Sequence, residues 1–97
     1  MRDRCAWIQG ARSAGLVRLA AAKQMADSLT ESDAFDSFWY GRSCAQEARQ
    51  TQGWVSFGME AGVHGVSEGD AANLLDVLAV PNDAQDGFWA GWRTQTA

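Results

Sequence analysis

Across 97 residues the chain has one proline, one histidine and two cysteines. No apolar run approaches the roughly 18–20 residues needed to cross a bilayer. Each shortage removes a class of protein. His64 stands alone, and Cys5 and Cys44 are far apart, so no set has metal-ligand spacing. A Ser-His-Asp or Cys-His nucleophile lacks its supporting motif for the same reason. No glycine-rich phosphate loop occurs. The opening Met1-Arg2-Asp3-Arg4-Cys5-Ala6-Trp7 has no apolar stretch of the secretory kind, which makes the cytoplasm, with both thiols free and partly buried, the expected setting. Cations are also scarce, eight against twelve acids, for a net charge of −4. That charge runs from +4 over residues 1–23 to −5 over residues 54–97. Direct nucleic-acid binding through a broad basic face is therefore not expected.

Alanine and aromatic residues are plentiful. Five Trp, four Phe and one Tyr supply a core for a single domain spanning residues 1–97. With so little proline, this composition favours helix. The pattern that organises the chain is Ser32-Asp33-Ala34-Phe35-Asp36-Ser37-Phe38-Trp39-Tyr40-Gly41, which returns fifty residues later as Asn82-Asp83-Ala84-Gln85-Asp86-Gly87-Phe88-Trp89-Ala90-Gly91. Six of the ten positions are identical, and sliding the whole chain by fifty gives ten identities over 47 positions. The expected fold is all-α: five to six short helices forming two three-helix repeats, roughly 3–47 and 53–97, related by a rough twofold. Gly41 and Gly91, just after the Phe-Trp pairs, are expected to let another helix or ring approach the backbone, with the pairs clasping one half to the other.

Helices are expected at about 3–12, 15–29, 32–51, 68–79 and 83–94. Leu16, Leu19, Ala20, Met25, Ala26 and Leu29 form the inward face of the second. Phe35, Phe38 and Trp39 point inward from the third, with Gly53 as its stop. Residues 54–64 alternate like a strand, but Trp54, Phe57 and Ala61 share a helical face and no second strand exists to pair with, so helix is expected there too. Ser67 should cap one helix, and Asn82 with Gln85 has the spacing of a capping box for the last.

Asp33 with Asp36, and Asp83 with Asp86, are carboxylates three apart, as acid–base or cation sites can be. First-turn positions, where negative charge meets the helix dipole, account for them more simply. Gly58 to Gly62 spells GxxxG in a short polar setting, where it carries little weight. The segment from His64 to Leu75 has a faint helix-turn-helix look, but the next helix would present Asp83 and Asp86 to phosphates. Phe88-Trp89-Ala90-Gly91-Trp92-Arg93 resembles the closing segment of ribosome modulation factor over six residues; without that family's basic composition, no function follows from it.

The expected function is non-enzymatic binding of a protein partner, with no cofactor, metal or membrane. Its most concrete form is a phage-type inhibitor, such as an anti-CRISPR, engaging a basic nucleic-acid-binding surface through Glu60, Glu68, Asp70, Asp76, Asp83 and Asp86. The tryptophan excess would then serve as interface anchors. The alternatives are a ligand pocket between the repeats walled by Phe38, Trp39, Phe88 and Trp89, and a homodimeric structural subunit.

Overall fold

In the computed structural model, which describes residues 3–96, six α-helices follow one another: α1 (Arg4–Leu16), α2 (Leu19–Asp27), α3 (Ser32–Thr51), α4 (Trp54–Val63), α5 (Glu68–Val77) and α6 (Asn82–Thr96). No strand occurs among the described residues. Asp3 opens α1 by accepting the Ala6 N–H at 3.0 Å. This helix runs four residues past the expected Arg12, through both glycines, because α3 supplies what its end lacks. α1 has no basic residue in its last turn. Arg49 of α3 donates to the Ala14 carbonyl (2.6 Å), and Arg42 donates to Ser13 Oγ (3.0 Å) and the Val17 carbonyl (3.3 Å). Cations at the negative end of a helix dipole are stabilising there. Val17 and Arg18 are extended, so α2 starts at Leu19 rather than Gly15.

Residues 54–63 are helical, as the lack of a pairing strand required. α3 ends at Thr51 as expected, but the left-handed residue that stops it is Gln52 (φ 62°) instead of Gly53, which precedes α4 as its cap. Ser67 caps α5 by accepting the Asp70 N–H at 3.2 Å. The capping box at Asn82 does not form. Asn82 is already inside α6, and the Gln85 amide donates to the Val80 carbonyl at 3.1 Å.

The main packing is between α1 and α3 and between α4 and α6. Each pair runs parallel: Asp3, Gly10 and Ala14 meet Ser37, Phe38 and Arg49 in order, while Val55, Gly58 and Gly62 meet Gly87, Phe88 and Gln95. Both crossings rest on a glycine from each helix. A Cβ on Gly10 would strike the Phe38 carbonyl, and one on Gly41 the Trp7 carbonyl. In the second pair, Gly58 lies against the Phe88 carbonyl and Gly91 against the Val55 carbonyl. The backbone approach expected at Gly41 and Gly91 is therefore present. Its partner is different from the one expected: the glycines join helices within each half of the chain, not one half to the other.

Between the halves, α1 packs on α5 and α3 on α4. A twofold axis would match these with α4 on α2 and α6 on α1, which meet at most marginally. The halves thus meet front to back, and the expected rough twofold does not describe their contact. The fifty-residue register also slips: Gly10 corresponds to Gly58 at forty-eight, whereas Gly41 corresponds to Gly91 at fifty.

Trp7, Trp54, Phe57, Leu74, Leu75, Leu78 and Phe88 lead one buried cluster. Phe38 sits in a smaller one with Ala6, Ala22, Ala26 and Ala34. Of the inward face expected for the second helix, Ala26 is buried and Leu29 half-buried against the smaller cluster, but the rest is exposed. Leu16, Leu19 and Met25 are 60%, 53% and 38% exposed, and α2 buries only Ala22 and Ala26. Phe35, also expected inward, is 37% exposed.

Candidate functional site

A cluster of polar and titratable side chains lies along the seam of α3 and α4. Tyr40 donates its hydroxyl to Glu60 Oε2 at 2.9 Å. His64, just past the end of α4, has Nδ1 at 2.8 Å from the Glu60 carbonyl and 3.9 Å from Glu60 Oε2. A carbonyl only accepts, so Nδ1 carries the proton. The imidazole stacks on Trp7 (centroids 4.9 Å apart) and tilts against Tyr40 (5.5 Å). Its side chain is only 3% exposed, at the edge of an open depression also lined by Asp3, Arg4, Cys5, Glu31 and Asp33. Burial, with Glu60 beside it, pushes the Tyr40 phenol up to about 12. Burial and the same carboxylate push the Cys44 thiol up to about 11. Both groups stay protonated near neutrality, the opposite of what a nucleophile or base requires. The cluster holds α4 to α3.

Glu60 was expected to belong to an acidic partner-binding face. It is half-buried and engaged in this seam, facing α3. Glu68 and Asp70 occupy the first turn of α5, Asp76 its last, and Asp83 and Asp86 the start of α6. All five are exposed, and none makes an ion pair among the described residues. At 3.6 residues per turn, Asp70 and Asp76 stand about 120° apart around α5, on the side away from its buried stripe. Asp83 and Asp86 come near α4, because the adjacent Gly87 lies against Val55.

Val55, Met59 and Val63 are 49%, 40% and 44% exposed. Spaced by four along α4, they form one apolar row on the side of the helix that abuts α6. A second apolar surface lies across the molecule's other half. Leu16 and Met25, with Gln9, Arg12, Ser13, Val17 and Ser28, line a depression of about 390 Å³. Neither surface is among the expectations from sequence: Leu16 and Met25 belong there to an inward face, and Val55, Met59 and Val63 only to a strand-like alternation.

The expected interface tryptophans are elsewhere. Trp7 and Trp54 are buried, and Trp39, Trp89 and Trp92 are half-buried against the two clusters. Nor do the four aromatics expected to wall a pocket meet. Phe38 and Phe88 are fully buried in different clusters, because each packs inside its own helix pair. GxxxG, given little weight in the sequence, proves to be a packing element: Gly58 admits the Phe88 backbone and Gly62 admits Gln95 of α6. No His, Cys, Asp or Glu group suited to a metal occurs among the described residues. No helix among them is long and apolar enough to cross a membrane.

No family model matches the chain, no curated protein matches it, and no solved structure matches it.

Proposed function

We propose that this chain catalyses no reaction and works by binding a protein whose contact surface is basic. The observation that carries this reading is the row Val55, Met59 and Val63, exposed along α4 with Asp83 and Asp86 close to one end. An apolar strip rimmed by charge is a common form of protein-binding surface. The unpaired acids Glu68, Asp70 and Asp76 extend the same sign of charge along α5. Uncompensated like charge gains most from a partner of opposite sign, chiefly in encounter rate and specificity. A phage-type inhibitor that occupies a basic nucleic-acid-binding groove, as some anti-CRISPR proteins do, is the most concrete role of this kind.

A photo-crosslinking side chain placed at Met59, with one at exposed Gln50 on α3 as control, tests the reading in cells that make the protein. Adducts specific to position 59, lost on combining the label with Asp83→Asn and Asp86→Asn and weakened on raising salt from about 50 mM to about 500 mM, are expected. Equal adducts at both positions, or capture indifferent to salt and to the two substitutions, would remove the proposal.

A further inference from the structure

The apolar row on α4 has a counterpart inside the molecule that indicates what covers it. Matching the glycine crossings pairs Gly10 with Gly58 and the Trp7 carbonyl with the Val55 carbonyl. In that register, Val55, Met59 and Val63 correspond to Trp7, Ala11 and Gly15 of α1. The α1 row is covered at its first two positions. Trp7 and Ala11 are fully buried; Trp7 stacks on Phe57 (5.7 Å) and His64 (4.9 Å), and Gly15 abuts the Val77 carbonyl and Leu78 of α5. The α4 row is bare.

The covering surface also has a counterpart. Phe57 and His64 correspond to Gln9 and Leu16 in the same register. α2 and α5 begin forty-nine apart, so Val77 and Leu78 correspond to Ser28 and Leu29. Gln9, Leu16 and Ser28 all line the 390 Å³ depression between α1 and α2, with Met25 on its wall. One molecule thus carries both halves of its own internal contact, unused, on different helices. Their charges are complementary. Arg12 lines the depression, and α1 and α2 with the link between them carry Arg4, Arg12, Arg18 and Lys23 against Asp27 alone. The row on α4 has Asp83 and Asp86 nearby, with Arg93 the sole cation of α6.

We propose that a second copy of this chain seats its Val55–Met59–Val63 row in the depression formed by Gln9, Leu16, Met25 and Ser28. This contact repeats between molecules the front-to-back contact that joins the two halves within one. It rests on the protein-binding reading of the α4 row and names the occupant. The two surfaces differ, so the contact is heterologous: each added copy leaves one free surface of each kind, and growth is head to tail.

The test uses Met59→Glu and Leu16→Glu, both at exposed positions, so each variant should fold with unchanged circular dichroism. Light scattering across about 1 µM to about 1 mM in low salt should show wild-type mass rising beyond twofold, and falling back at high salt. Each variant alone should remain monomeric. Mixed in equal amounts they should double in mass and stop there, because Met59→Glu keeps an intact depression and Leu16→Glu an intact row. Wild type that stays monomeric throughout overturns the proposal, as does a variant mixture that stays monomeric while wild type associates. If self-association is absent but salt-sensitive crosslinks from position 59 to a different protein persist, this inference fails and the broader binding reading stands. If both are absent, both fail.

Discussion

Phe38 and Phe88 occupy matching places in the repeated sequence, and each presents its carbonyl to a glycine of a parallel helix. Their surroundings differ greatly. Phe88 meets Phe57 and Trp89 (5.7 and 5.3 Å) in the large cluster. Phe38 is enclosed mainly by alanines. The connecting helices differ in the same way: α5 buries Ala71, Leu74 and Leu75 under a Ser67 cap, whereas α2 buries two alanines with no side-chain cap. A buried leucine contributes about 1.5–3 kcal/mol, several times an alanine methyl. Equal crossings can therefore support halves of unequal stability. What the glycines secure is the helix pair; what the third helix adds depends on its own apolar side chains.

The largest effects should come from the crossings themselves. Gly10→Ala and Gly58→Ala each place a methyl against a carbonyl that cannot rotate away, and each should cost more than about 3 kcal/mol in urea unfolding. A loss near 1 kcal/mol, no more than the ordinary range of a point change, would mean the pairs can separate cheaply. Next come the connecting helices. Leu74→Ala, fully buried on α5, should cost about 2–5 kcal/mol, while Leu19→Ala, 53% exposed on α2, should stay within about 0.5. Hydrogen exchange should correspondingly be faster in α2 than in α5. Equal protection would erase the contrast between halves.

Capping offers a finer comparison. Ser67→Ala removes the α5 cap and should cost about 1 kcal/mol, while Arg18→Ser at the extended, uncapped start of α2 should gain a comparable amount. The smallest effect is visible in titration. Tyr40 is the only tyrosine, so its phenolate absorbance should appear near pH 12 rather than 10, and Glu60→Gln should bring it down. Cys44 should resist alkylation until about pH 11. Both groups are raised acids that fold in their protonated form. Their contribution is complete below the unfolded values of 9.0 and 10.0, and it is lost as pH climbs through about 11 and about 12.

Although 54–64 read as either strand or helix, with helix expected, the amino-acid order alone determined that the chain is helical, that α3 spans 32–51, and that Ser67 caps α5. These are decided by neighbours a few residues away, through hydrogen-bond supply and turn chemistry. Only the tertiary structure decided which apolar rows are covered. Trp7-Ala11-Gly15 and Val55-Met59-Val63 have the same spacing on corresponding helices, yet Trp7 and Ala11 are fully buried while Val55, Met59 and Val63 are 49%, 40% and 44% exposed. Periodicity can say that a helix has an apolar face, but what lies against it is set by front-to-back packing of the halves. The same limit hid the role of Gly58 and Gly62, the true end of α1 under Arg42 and Arg49, and the enclosure of the tryptophans. Each depends on a partner brought close by folding, at a sequence distance that carries no local signal.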